Sequence, residues 1–121
     1  MTGLKRFSGI FLILTGALHT GIGVLLLGGP LRAIADEGFL NALQTGEWEQ
    51  LTAFWFIMFG FLLVLLGALM HWVLRTLRTE LPPFLGWGLL AICAVGVILL
   101  PVSGFWICIP QAWLIMRRSK A

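Results

Sequence analysis

Four runs of this chain contain no charged side chain, and the first two, residues 7–28 and 51–74, each exceed twenty residues. A helix rising 1.5 Å per residue needs about 20 residues to cross roughly 30 Å of hydrocarbon. Both runs therefore read as membrane spans. The third, 84–100, and the fourth, 104–116, are separated by Pro101, Val102 and Ser103. Pro101 removes a backbone donor and Ser103-Gly104 supplies turn chemistry, so the pair reads as a tight helical hairpin and not as one long helix. The fourth run is short and must borrow length from the snorkelling stems of Arg117, Arg118 and Lys120. With 60% of the residues hydrophobic and 11% charged, a water-soluble globular domain is excluded as the default class. Inside lipid every backbone polar group must be paired within the segment, so helix follows from the solvent and the many glycines do not count against it. The expected fold is an all-α, single-domain bundle of four transmembrane helices.

A cleavable signal peptide is the competing reading of residues 7–28, since Lys5 and Arg6 resemble a basic leader. The apolar segment is longer than the usual 7–15 residues and no small-residue cleavage site closely follows, so it reads as a retained helix. Of the eight Lys and Arg residues, seven flank the same side of the four spans, leaving only Arg32 on the other. By the positive-inside rule both termini face the cytoplasm, as an even number of spans requires. The location implied is the inner (cytoplasmic) membrane. The net charge of +3 follows from these juxtamembrane clusters and gives no reason to invoke nucleic acid.

The one long connection, residues 29–50, suits a short interfacial helix. Pro30 fits a first helical position, Leu31, Ile34, Ala35, Ala42 and Leu43 fall near one face, and Arg32, Asp36, Glu37 and Asn41 fall mostly elsewhere. Gly38 interrupts the pattern. Thr45-Gly46 then breaks the chain, and Glu47 and Glu49 enter the first turn of the second long helix, where carboxylates favour the positive end of its dipole. Trp48, Trp55, Trp72 and Trp87 lie near the expected boundaries and suit interfacial anchoring.

Gly9, Gly16 and Gly23 recur every seven residues, Thr20 extends the stripe of Gly16, and Gly60 and Gly67 repeat the spacing in the second span. Small residues let helix backbones approach in lipid, where apolar burial gives little association energy, so these stripes are packing faces. Their number suggests a homodimer as well as internal packing. His19 shares the first stripe and His71 the second, which turns both toward the bundle. Counting from the cytoplasmic boundary, His19 lies roughly 18 Å deep and His71 about 5 Å, an offset that argues against a haem iron held between them.

A ring nitrogen near the midplane needs a partner, so His19 has two readings. It is either a neutral imidazole bonded to a hydroxyl or carbonyl of a neighbouring helix, or the polar anchor of a lipid-accessible cavity. Cys93 and Cys108 fall at similar depth, within a turn of His19, and two thiolates with an imidazole would suit a soft metal. No CxxC or HxxxH spacing supports that, and free cysteine behaves as a small buried hydrophobe. Neither a metal nor another cofactor is expected. Pro110 breaks the helical hydrogen-bond pattern of the fourth span, opening space, and Gln111 beside it either fills the freed carbonyl or faces the bundle.

The phrases "GALHTGIG", "FWFIMFGFLLVLLGALMHW" and "PVSGFWICIPQAW" together resemble a family of small bacterial four-helix membrane proteins known only as a domain of unknown function. The resemblance spans nearly the whole chain and implies a four-span bundle without implying a reaction. Four-helix sterol isomerases of the emopamil-binding type share the helix number but use intramembrane acidic residues, which this chain lacks.

No catalytic set is legible: there is no Ser-His-Asp arrangement, no paired intramembrane carboxylates and no phosphate-binding loop. His19 with a distant Glu47 or Glu49 makes a poor acid–base pair. The reading that remains is a lipophile-binding protein, with His19 as hydrogen-bond anchor, Gln111 as second polar contact, and Phe105, Trp106 and Trp113 as aromatic walls. An accessory subunit of a membrane complex and an enzyme acting on a lipophilic substrate are the alternatives.

Overall fold

Helix α1, Ser8–Leu26, begins where a single 3₁₀ turn at Lys5–Phe7 ends, and the Ser8 hydroxyl donates back to the Lys5 carbonyl at 2.7 Å. The computed structural model describes residues 3–38, 48–100 and 105–117, with Phe105 described by its backbone alone. Over these residues the chain is entirely helical, without a strand: α1 is followed by α2 (Gly28–Asp36), α3 (Trp48–Trp72), α4 (Pro83–Leu99) and α5 (Phe105–Met116). The sequence boundaries shift by a few residues. Trp48, Glu49 and Gln50 join α3, whose N-terminus welcomes the Glu49 carboxylate. Beyond Trp72 the helix widens into one π turn, Val73–Leu77, and stops at Arg78, which takes the left-handed conformation with φ 52°. Pro82 is extended and Pro83 opens α4, where a missing N–H leaves no bond unmade.

The interfacial helix forms as α2, with Pro30 as its third residue and not its first. Gly38, at φ 81°, follows its last turn and supplies the left-handed exit that an L side chain resists. Glu47, the Thr45-Gly46 break, Asn41, Ala42, Leu43, the Pro101–Gly104 turn, Arg118 and Lys120 lie outside the described residues.

Helices pack as two pairs, α1 along α3 and α4 along α5, and the pairs meet mainly through α1 and α5. The α1–α3 seam is built on glycine. A methyl group on Gly67 would stand 2.7 Å from the Gly9 carbonyl oxygen and the Ile13 nitrogen, and one on Gly16 would stand 2.9 Å from the Gly60 carbonyl oxygen. Gly23 meets the Phe56 ring in the same way. The two glycine stripes thus face each other within one chain, which accounts for them as internal packing faces. In the other pair Gly86 of α4 lies against Met116 and the Ala112 carbonyl of α5, a close approach that periodicity did not single out. Leu12, Leu63, Met70 and Ile115 form the buried core, flanked by Leu66, Leu81, Leu85 and Leu89.

Among the described residues, two helices are long and apolar enough to cross a membrane: Lys5–Leu26 and Trp48–Leu77. Only 22% and 28% of their most apolar windows are buried inside the bundle. The remaining apolar helices, of 17 and 12 residues, are shorter than an untilted span requires. Lys5 departs from its expected place among exposed basic flanks. Its side chain is 7% exposed, and its ammonium nitrogen lies 3.7 Å from the Glu80 carboxylate, tying the N-terminal segment to the α3–α4 connection.

Candidate functional site

Because α3 and α4 belong to different pairs they barely touch, and the gap between them is a cavity of about 140 Å³. Its walls are apolar: Leu63 and Leu66 of α3, Leu89 of α4 and Leu12 of α1 lie inside. Phe59, Leu62 and Ile92 stand at its exposed rim, so the mouth opens sideways from the bundle. Three residues bring polar atoms to this lining: Cys93 from α4, and Cys108 and Gln111 from α5.

Gln111 carries the chemistry of the wall. Its Nε2 donates to the Thr15 hydroxyl at 2.6 Å and to the Ile107 carbonyl of its own helix at 3.4 Å, and Thr15 donates onward to the Phe11 carbonyl at 2.9 Å. Both amide hydrogens are thereby used, while the acceptor Oε1 is buried with no partner. A buried polar atom left without a hydrogen bond costs about 1–3 kcal/mol, so this oxygen is an unmet acceptor on a residue of the cavity wall, covered as the side chain stands and reachable by a ligand once that side chain turns. Of the two roles expected for Gln111, facing the bundle is the one found.

Cys93 and Cys108 are free thiols. They come together across the α4–α5 pair, close enough to interact directly. Their equal depth was readable from sequence; their meeting at one cavity was not, because it depends on how α4 and α5 turn about their axes.

His19 is elsewhere. Its Nε2 donates to the Phe56 carbonyl at 3.0 Å, and its ring stacks on Phe56 at 3.8 Å and meets Phe59 edge-on at 5.3 Å. It belongs to the α1–α3 seam, separated from the cavity by Phe59. The bond to a neighbouring carbonyl, one of the two readings of His19, is therefore the one found, and the soft-metal triangle with the two cysteines is not assembled. Among the described residues no group of three or more His, Cys, Asp or Glu side chains gathers as a ligand set. His71 packs its backbone against Gly9 and has a buried, unpartnered Nδ1, at the opposite end of the seam from His19.

Trp106 and Trp113 do not line the cavity; both are exposed, and Trp113 lies under the Arg117 guanidinium at 5.2 Å. The Phe105 side chain lies outside the described residues. Of the four expected ligand-holding residues whose side chains are described, Gln111 stands at the cavity and His19, Trp106 and Trp113 do not, and sequence missed the apolar walls from α3 and α4. Cysteine at matched depth on the two arms of a hairpin was the signal that could have found the site.

Residues 3–121 match the model of a family described as "Family of unknown function (DUF6463)", and the chain belongs to that family. No curated protein and no solved structure matches it.

Proposed function

We propose that this chain is a multi-pass protein of the inner membrane that binds a lipophile carrying a hydrogen-bond donor in the cavity between α3 and α4. The observation that carries this reading is the unpartnered Gln111 Oε1 beside an apolar cavity whose mouth is lateral. Buried water would suit the site poorly, since an ordered water wants roughly 2–4 polar partners and these walls supply one strong acceptor and two weak thiols. A ligand bearing one hydroxyl or N–H on an otherwise apolar body would pair the oxygen and leave the walls dry. Size limits what enters: an apolar cavity of roughly 150 Å³ accommodates a benzene-sized group. The bound end is then one ring or one short branched unit, with any longer tail lying in the α3–α4 groove and the surrounding lipid.

Four spans with both termini in the cytoplasm complete the reading. Two helices have spanning length, and α4 and α5, packed as a pair against α1, would be carried through with them. The firm pairing of α1 with α3 supports a retained first helix and not a leader.

Native mass spectrometry from membranes, with extraction and identification of retained lipophiles, tests the binding. The wild-type chain should retain a hydroxyl- or N–H-bearing species that Gln111→Met loses and His19→Ala keeps. Gln111→Met removes the unpartnered oxygen together with the Thr15 bond, so the variant should remain folded with its thermal stability nearly unchanged. Bulk phospholipid alone in all three samples would overturn the proposal and favour an accessory-subunit role.

A further inference from the structure

The chain has two cysteines, and both stand in the wall of the same cavity, one from each arm of the α4–α5 pair. Two independent buried hydrophobes would have no reason to meet. Here the thiols are close enough to interact directly, and Cys93 is only 3% exposed. Cys93 is closed to a water-borne oxidant or thiol and Cys108 is half-buried, whereas a lipid-soluble reactant entering through the rim formed by Phe59, Leu62 and Ile92 would arrive at the wall that both share.

We propose that Cys93 and Cys108 form a redox-active dithiol that reduces a lipid-soluble quinone in this cavity. The inference rests on the reading that the cavity admits a lipophile. The two S–H bonds break and one S–S bond forms between Cys93 and Cys108. The two electrons and two protons released pass to the quinone, whose two carbonyl oxygens become the hydroxyls of a hydroquinone. Atoms and electrons balance with no further reactant, and the products are neutral, as walls this apolar demand. The cavity of about 140 Å³ takes one edge of a quinone ring, with the remaining substituents and any tail lying in the open α3–α4 groove.

Gln111 gives the step a direction. Its unpartnered Oε1, once the side chain turns it toward the cavity, can only accept a hydrogen bond, and its two amide hydrogens are given to Thr15 and Ile107. A quinone has carbonyl acceptors and nothing to donate, whereas a hydroquinone has two O–H donors. The site therefore holds the reduced product better than the oxidised reactant.

The test uses the full chain in mild detergent, incubated without oxygen with decylubiquinone, then unfolded in excess N-ethylmaleimide for intact mass measurement. The expected result is a chain lighter by two hydrogens that takes up no maleimide, with one equivalent of hydroquinone seen by its absorbance. Cys93→Ser and Cys108→Ser should each retain decylubiquinone in native mass spectra, yield no hydroquinone and keep their one alkylatable thiol. Gln111→Met should yield hydroquinone more slowly. Decylubiquinone retained by a wild-type chain whose thiols both still alkylate would overturn the redox step and leave ligand binding standing. A covalent quinone adduct on either cysteine, or a disulfide formed with diamide but not with decylubiquinone, would also overturn it. Failure of the chain to retain any lipophile would remove both proposals.

Discussion

His19 and Phe56 are joined twice: their rings stack with centroids 3.8 Å apart and 14° between planes, and the imidazole Nε2 donates to the Phe56 carbonyl at 3.0 Å. The histidine is a cross-brace between α1 and α3. An interhelical hydrogen bond in a bilayer is worth roughly 0.6 kcal/mol and a stacked pair about 0.5–1.5 kcal/mol. His19→Ala should therefore cost about 1–2 kcal/mol, and His19→Phe, which keeps a ring but no donor, less than that. Thermal unfolding in mild detergent checks the order. His19→Phe proving as costly as His19→Ala would show that the stack contributes nothing.

The glycine seam makes a sharper demand, because the atoms opposing each missing side chain are backbone and cannot rotate away. Gly67→Ala would drive a methyl group against the Gly9 carbonyl and the Ile13 nitrogen. Overpacking of this kind costs about 1–3 kcal/mol. Gly21→Ala and Gly88→Ala meet open space and should leave the unfolding temperature unchanged or raise it. Equal tolerance at positions 67 and 21 would mean that α1 and α3 do not approach at Gly67.

Lys5 offers a test of charge burial. Removing Glu80 leaves a 7% exposed ammonium without its carboxylate, whereas removing Lys5 leaves only a carboxylate that is already 39% exposed. Glu80→Gln should accordingly destabilise more than Lys5→Met. The size stays modest, about 1 kcal/mol, because water reaches one partner and screens the pair. Adding Lys5→Met to Glu80→Gln should recover part of the loss. The reverse order of single-variant stabilities, measured by unfolding at low salt, would show that Lys5 is not confined as described.

What could be read from sequence divides along physical lines. The helices emerged because the absence of charge over a bilayer's thickness is a local property, and the ends of the long ones lie within a few residues of the uncharged runs. The glycine stripes were legible as packing faces because seven-residue spacing fixes one side of a helix. Which stripe meets which partner was not legible, because spacing along one helix says nothing about the helix it packs against. His19 was correctly sensed to need a partner, yet a carbonyl on α3 and a ligand satisfy a ring nitrogen equally well in sequence. A cavity with Gln111 in its wall was expected, but its apolar walls were not: they come from α3 and α4, whose backbones barely approach, and an absence of contact leaves no periodic trace. Lys5 and the thiol pair were missed for a related reason, since burial at a helix end and rotation about a helix axis are tertiary facts.

Topology is the remaining prediction, and α4 and α5 make it discriminating. At 1.5 Å per residue their 17 and 12 residues reach about 26 and 18 Å, against roughly 30 Å of hydrocarbon. Two arrangements therefore share a cytoplasmic C-terminus: a hairpin that crosses fully and one that dips in and returns. The full crossing is favoured by charge, since Arg75 and Arg78 precede α4 and Arg117, Arg118 and Lys120 follow α5, all able to extend apolar stems along the chain from one face. In a Cys93→Ser, Cys108→Ser background, a membrane-impermeant maleimide applied to intact spheroplasts should label Arg32→Cys and Ser103→Cys, and should reach Ser119→Cys only after lysis. Labelling of Ser119→Cys from outside would invert the orientation. Silence at Ser103→Cys with Arg32→Cys labelled would instead make the hairpin re-entrant, placing its turn within the hydrocarbon and leaving two full spans, α1 and α3, to carry the bundle.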